Sequence, residues 1–130
     1  MRARPFLPSV SGEPTGIAGM ALLKGTLDVL VLKALAWAPM HGFEITCWLE
    51  ERSGGHLEVD DGALFQALHR MEERALIAAE WGVTDNNRRA RYYRLTAAGR
   101  AHLRTEGARL AQYAEALTAI LAPGAARRST

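Results

Sequence analysis

The sequence has little cysteine and no grouping of residues that is typical of a metal site. Cys47 is the single cysteine among 130 residues, so no disulfide can form within the chain. This composition fits a reducing compartment, and we expect a cytoplasmic protein. The four histidines have no cysteine pair near them, which argues against zinc. We therefore expect neither a metal nor a cofactor.

Long apolar runs are also lacking. The longest stretch without Asp, Glu, Lys or Arg is residues 116–126, whereas a membrane-spanning helix needs about 20 apolar residues. Prolines at positions 5, 8 and 14 interrupt the N-terminal region before a secretory signal could form. We expect no membrane segment and no signal peptide. Hydrophobic residues still make up 48% of the chain, enough to bury a core.

Lysine is scarce, and the basic residues are unevenly distributed. Fourteen of the sixteen basic residues are arginines. Residues 20–87 carry five basic and eleven acidic side chains, whereas residues 88–109 carry seven arginines and one glutamate. The net charge of +2 therefore hides a cationic block, which indicates a surface that meets an anion such as nucleic acid. The alternative is a solvated face whose arginines serve solubility.

Composition and periodicity divide the chain into four segments. Residues 1–21 mix proline and glycine without periodicity, and we predict a flexible leader. Residues 22–95 are predicted to form the folded domain. Residues 96–122 are predicted to form one long helix, and residues 123–130 a flexible tail.

The first helix is predicted over residues 26–38, with Thr26 as its N-cap and Pro39 after its end. It is apolar on nearly every side, whereas a surface helix would have a single apolar stripe. We therefore expect a second copy of the chain to cover part of it.

Two further helices and a hairpin are predicted before the long final helix. The second helix covers residues 41–52, and a short extended piece leads to the third over residues 62–75, with Asp60 or Asp61 as its cap. A buried stripe is expected on the third helix at Leu64, Ala67, Leu68 and Met71. Strands over residues 76–83 and 90–95 flank the turn-forming sequence TDNN.

The final helix is predicted over residues 97–121, with Thr96 as its cap. Leucines at 103, 110 and 117 recur every seven residues, which is the spacing of a helix pairing seam. A helix of about 25 residues is ~37 Å long, more than a domain of this size covers by itself. We expect a homodimer whose interface contains Leu27, Leu30, Val31, Leu103, Leu110, Tyr113, Leu117 and Ile120.

Three helices followed by a hairpin are the order of a winged helix-turn-helix. The predicted fold is mainly α with a small β-hairpin, a winged helix-turn-helix plus a long C-terminal dimerisation helix. The third helix would enter the major groove of double-stranded DNA, and the arginine-bearing hairpin would contact phosphates. The predicted DNA-binding residues are Asp61, Gly62, Phe65, Gln66, His69, Arg70, Arg88, Arg89, Arg91 and Tyr92.

Three stretches resemble the PadR family of transcriptional regulators. They are LLKGTLDVLVLKALAWAPMHGFEI (residues 22–45), DGALFQALHRMEERALI (61–77) and RRARYYRLTAAGR (88–100). The resemblance implies a homodimer, usually a repressor, that binds a palindromic operator and responds to a small aromatic or hydrophobic effector. Family members typically have tyrosine where this chain has Phe65 and often proline where it has Gln66. The first difference removes a hydroxyl that could reach a phosphate, and the second adds a group that could alter sequence preference.

Other interpretations of the same residues stay open. Phe65 could be a core residue under the wing, and His69 could pair with Glu72 or Glu73 rather than with DNA. Trp37, Trp48 and Tyr113 are more typical of a core or an interface than of an effector site. The chain could also be a winged-helix module that binds another protein, because the acidic residues Glu72, Glu73 and Glu80 near the third helix make the approach of DNA less favourable. No enzyme is expected, since no nucleophile, base and orienting acid occur together.

Overall fold

Helices and strands follow one another in a simple order within residues 25–123, the part of the chain that the computed structural model describes. They are α1 (Thr26–Trp37), β1 (Met40–His41), α2 (Gly42–Arg52), α3 (Asp61–Glu73), β2 (Ile77–Val83), β3 (Arg89–Leu95) and α4 (Ala97–Leu121). The predicted leader, residues 1–21, and nearly all of the predicted tail lie outside the described residues.

Helix α1 lies at the centre of the fold. Its residues Val31, Leu32 and Ala34 have no exposed surface, because α2, α3, α4 and β3 all pack around it. Most of its apolar side chains therefore need no cover from a second copy of the chain, which was expected to cover part of this helix. Elements of the same subunit provide that cover. Leu27 and Leu30 are only partly buried.

Helices α2 and α3 begin at side-chain caps. The Nδ1 atom of His41 accepts a hydrogen bond from the N–H of Glu44, whose carboxylate accepts one from the N–H of His41. Helix α2 therefore begins at Gly42, one residue later than predicted. At α3, Asp60 accepts a hydrogen bond from the N–H of Ala63 at 2.9 Å, so Asp60 is the cap and Asp61 is the first helical residue.

The buried stripe predicted on α3 is confirmed, since Leu64, Ala67, Leu68 and Met71 are all buried in the core. The helix ends at Glu73, two residues before the predicted end. Ala75 has a left-handed backbone (φ 61°), which cannot continue a right-handed helix.

The strands form one antiparallel sheet in the order β1-β3-β2. Strands β2 and β3 are the predicted hairpin, with Ile77 paired to Leu95 at its base and Val83 to Arg89 near its tip. The hydroxyl of Thr84 accepts hydrogen bonds from the N–H groups of Asn86 and Arg88 and closes the turn. This hairpin is the wing of the fold.

Two local features differ from the predictions. Thr26 is the first residue of α1 rather than its N-cap, because Gly25 precedes it in a left-handed conformation without a side-chain cap. Strand β1 was not predicted, since two residues are too few to show a strand pattern. It forms because Met40 and His41 pair with Tyr93 and Tyr92 of β3.

Helix α4 has the predicted bounds and the predicted cap. The Thr96 hydroxyl accepts a hydrogen bond from the N–H of Gly99 and lies 2.7 Å from the carbonyl oxygen of Ala75. Leu103 packs partly against the core, whereas residues 111–123 are all exposed. The second half of α4 therefore extends beyond the rest of the domain.

Gly99 provides a test of how α4 is attached to the domain. A side chain at this position would overlap the carbonyl oxygen of Leu76, a backbone atom that cannot move away by a side-chain rotation. We expect Gly99→Ala to lower the free energy of unfolding by about 3 kcal/mol, the upper end of the cost of overpacking. Chemical denaturation measures this change.

Gly107→Ala in the same helix is the matched control. A Cβ at Gly107 would lie 3.5 Å from a methyl group of Leu103, which is ordinary contact. Alanine's helix preference should leave this variant equal to the native protein or up to about 1 kcal/mol more stable. Equal losses in both variants would show that the packing against Leu76 has no special role.

Candidate nucleic-acid interface

The exposed side of α3 brings together most of the side chains predicted to read DNA. Gly62, Phe65, Gln66, His69 and Arg70 are all exposed. At 3.6 residues per turn these positions lie within about 140° of the helix circumference. They are opposite the stripe that packs into the core, so α3 presents one continuous outer face that a groove could receive. Asp61 is exposed at the first turn of the same helix.

Phe65 lies on the surface and not in the core. Its side chain is 56% exposed, so the interpretation of Phe65 as a core residue is wrong. The ring lies close to the start of α2, where a Cβ at Gly42 would be 3.5 Å from its tip. The ring therefore lies beside the first residue of α2, at a distance where a small side chain at position 42 would make ordinary contact with it.

The strand register divides the predicted wing residues between two faces. Side chains alternate along β3, and Arg91 lies on the face that reaches α3, where it binds Glu72. Arg89 is on the same face as Arg91. Tyr92 points to the opposite face, so the structure does not bring it together with these two arginines.

Tyr92 is used within the wing. Its ring lies edge-on to His41, with a centroid separation of 5.2 Å, and fills the space above Gly82. Its hydroxyl donates a weak hydrogen bond to the carbonyl oxygen of Val83 at 3.4 Å. Desolvation raises the pKa of Tyr92, and the negative charges of Glu44 and Asp85 raise it further.

Trp81 is an exposed aromatic residue that no sequence pattern assigned to the site. The guanidinium of Arg89 lies over its ring at 4.5 Å, and 60% of the tryptophan surface is exposed. Trp81 is paired with Arg91 in the hairpin, so its side chain lies on the same face of the sheet as that of Arg91. The sequence alone could place Trp81 there only if this register were known. The ring supports Arg89 near the end of the wing.

Two ion pairs attach α3 to neighbouring elements. Nη2 of Arg70 donates to Oδ1 of Asp28 in α1 at 2.6 Å. Arg91 of the wing forms two hydrogen bonds to the carboxylate of Glu72, at 2.9 and 3.3 Å. The hydrogen bond to Glu72 raises the pKa of Arg91 above its usual range. Both arginines were predicted to bind DNA, and both have carboxylate partners within the subunit.

A third pair lies on the outer face of α3 itself. Nε2 of His69 is 3.3 Å from a carboxylate oxygen of Glu73, one turn further along the helix. Both side chains are well exposed. Because exposed pairs of this kind are weak, His69 could exchange Glu73 for another partner at little cost.

The predicted dimer residues fall into two groups. Val31 is fully buried in the subunit core, so it has no surface to offer a partner, and its assignment to the interface is wrong for this conformation. The others keep accessible surface: Leu27, Leu30, Leu103 and Leu110 are partly exposed, and Tyr113, Leu117 and Ile120 are exposed. The last three lie on the half of α4 that no other part of the domain covers.

The described part of the chain contains no group of three or more His, Cys, Asp or Glu side chains that could hold a metal ion. None of the helices within residues 25–123 is long and apolar enough to cross a membrane.

A helix-turn-helix followed by an antiparallel wing, with an exposed third helix beside it, defines a winged helix-turn-helix protein. The model of the PadR-like family of transcriptional regulators matches residues 31–105. The chain therefore belongs to the PadR-like family of transcriptional regulators, as its sequence motifs predicted.

Solved structures agree with this assignment. A transcriptional regulator from Clostridium thermocellum is 19% identical, with a TM-score of 0.66 over 76% of this chain and 96% of that one. A PadR family regulator from Eggerthella lenta is 26% identical, with a TM-score of 0.61 over 78% and 86%. The fold is also similar to Bacillus subtilis PadR solved with operator DNA, at 19% identity and a TM-score of 0.55, over 62% of this chain and 45% of that protein.

Glu72→Gln tests whether the ion pair with Arg91 holds the wing against α3. The substitution removes the charge that anchors Arg91, so the amides of β3 should exchange with solvent several-fold faster. Native-state hydrogen exchange measures this rate. Glu73→Gln is the matched control, because Glu73 pairs with the exposed His69 and not with the wing. Unchanged protection of β3 in Glu72→Gln would rule out the anchoring role.

Proposed function

We propose that this protein is a sequence-specific transcriptional repressor that binds a palindromic operator as a homodimer. One observation carries the proposal: the exposed face of α3 is continuous, and the arginine-bearing wing lies beside it. In such a complex Gln66 would read a base edge in the major groove, since its amide can pair with adenine. Arg88 and Arg89 at the start of β3 would neutralise phosphates.

The acidic residues near α3 are the main argument for a protein partner instead of DNA. Two of them have a cationic or ionisable neighbour, since Glu72 binds Arg91 and Glu73 lies beside His69. The charge of Glu72 is therefore compensated within the subunit, whereas His69 compensates that of Glu73 only when its imidazole is protonated. This compensation favours DNA over a protein partner as the ligand of this surface.

The second half of α4 supports the homodimer. Tyr113, Leu117 and Ile120 lie exposed at seam positions of the helix, and such an apolar stripe is stabilised when a second helix covers it. A twofold pair would place two α3 helices on one side of the duplex, about one helical turn (34–36 Å) apart.

Repression and release by an effector are proposed from the family resemblance. A dimer on an operator covers promoter DNA, and a small aromatic or hydrophobic molecule that alters the dimer would release it. Trp37 of α1 and Tyr113 of α4 are exposed in the single subunit, and a molecule that stacks on Tyr113 would compete with the helix pairing proposed above. With chromosomal DNA as its ligand, the protein would work in the cytoplasm.

Replacing both Arg88 and Arg89 by alanine tests the role of the wing. If both arginines neutralise phosphates, the slope of log affinity against log salt concentration should become shallower by up to ~0.9 for each phosphate that is no longer neutralised. The probe is a duplex that the native protein enriches from a random-sequence pool, and gel-shift titrations at several salt concentrations measure the slope.

Arg104→Ala is the control for this experiment. Arg104 is also exposed, but it lies on α4, away from the wing. It should leave the slope unchanged. If the double variant keeps the native slope as well, the wing binds no phosphates. If the native protein enriches no sequence, the result favours the alternative function, a winged-helix module that binds another protein.

Leu117→Lys tests the pairing of α4. A lysine at this position would bury its charge in the proposed interface between the two subunits. We therefore expect the dimer to separate into monomers, which sedimentation experiments measure. The subunit should still fold, because Leu117 contributes nothing to the core cluster. Gln112→Lys adds the same charge on another side of α4 and should leave the dimer intact. A stable Leu117→Lys dimer would contradict the proposed seam.

A further inference from the structure

We propose that Asp28 and Arg70 are positioning residues that fix α3 relative to α1 and so set the spacing of the two half-sites that the dimer accepts. The inference rests on the proposed function, since it needs both a dimer and an operator. It assigns Arg70 a role different from the base or phosphate contact that the sequence predicted.

The pair joins two helices that are distant in sequence. Nη2 of Arg70 lies 2.6 Å from Oδ1 of Asp28, and 42 positions separate the two residues along the chain. The side chain of Asp28 is only 11% exposed, whereas that of Arg70 is 53% exposed. A buried carboxylate without a partner is strongly unfavourable, so the guanidinium is held at the Asp28 side of α3.

The opposite side of α3 is held by the wing. Positions 70 and 72 are two residues apart, which places them on opposite sides of a helix, about 200° around its axis. Arg70 therefore attaches α3 to α1, while Glu72 attaches it to Arg91 of the wing. With one ion pair on each side, α3 resists rotation about its own axis, and the outer face with Gln66 keeps its direction.

Asp28 also lies next to the proposed dimer surface. Leu27 and Leu30, one residue before and two after it, keep accessible surface on α1. If α1 moves at the interface, Asp28 moves with it, and the ion pair with Arg70 transmits this movement to α3. In a dimer on a palindrome this connection fixes the distance between the two outer faces, and a change of one base pair in half-site spacing moves a half-site by about 3.4 Å.

The test uses a double-mutant cycle in the full chain, with Asp28→Asn, Arg70→Gln and the variant that carries both. The probes are a duplex that the native protein enriches from a random pool and two versions of it, with one base pair inserted or removed at the centre of symmetry. Affinity is measured for all three probes, and the salt slope for the first. Circular dichroism and sedimentation check that each variant is folded and dimeric at the assay temperature.

If the pair positions α3, all three variants should bind the enriched duplex more weakly by a similar factor, roughly tenfold, because either change removes the same interaction. They should also lose much of the native preference for the original spacing, while the salt slope stays unchanged. Arg70→Lys keeps a charge beside Asp28 and should recover most of the spacing preference. If Arg70→Gln does not fold, Asp28→Asn is the variant that tests the loss, and Arg70→Lys is its charge-retaining comparison.

Two results would overturn the proposal. If Arg70 contacts a phosphate, Arg70→Gln should flatten the salt slope by up to ~0.9, and Asp28→Asn should strengthen binding by releasing the guanidinium. If the pair only stabilises the subunit, the variants should melt at lower temperature but keep native affinity and spacing preference. Failure of the native protein to enrich any sequence would refute the proposed function instead, since the cycle starts from that duplex.

Discussion

The packing of α2, α3, α4 and β3 around α1 is the constraint on which the rest of the structure depends. Because this helix is apolar on nearly all sides, α2, α3, β3 and α4 can each bury a face against it. The position of the recognition surface is therefore defined relative to one central helix. That helix keeps accessible surface near Leu27 and Leu30, where the proposed partner would meet it.

Arginine performs two different tasks around α3. Arg70 and Arg91 bind carboxylates of the same subunit, and their charges are largely compensated there. Arg88 and Arg89 lie exposed at the start of β3, and Arg89 rests on the ring of Trp81. Within the cationic block of residues 88–109, the charge of Arg91 is therefore engaged inside the subunit, whereas Arg88 and Arg89 remain exposed at the end of the wing.

Most of the fold was predictable because its signals are local. The buried stripe of α3, the turn of the hairpin, and the Thr96 cap with the length of α4 follow from periodicity and side-chain chemistry within a few residues. Strand β1 was not predictable, since Met40 and His41 become a strand only by pairing with a segment about 50 residues away. The extent to which the same subunit covers α1 was not predictable either, because an apolar pattern shows that a helix is buried but does not show which chain buries it.

The sequence by itself determined the class of protein, the order of its four helices and two hairpin strands, and the set of side chains that face outward on α3. These depend on local propensity, on helical periodicity and on motifs long enough to be specific. Only the tertiary structure decided the partners of those side chains: Asp28 for Arg70, Glu72 for Arg91 and the wing interior for Tyr92. The physical reason is that ion pairs and ring contacts between distant segments depend on distances and directions, which residue spacing along the chain does not encode.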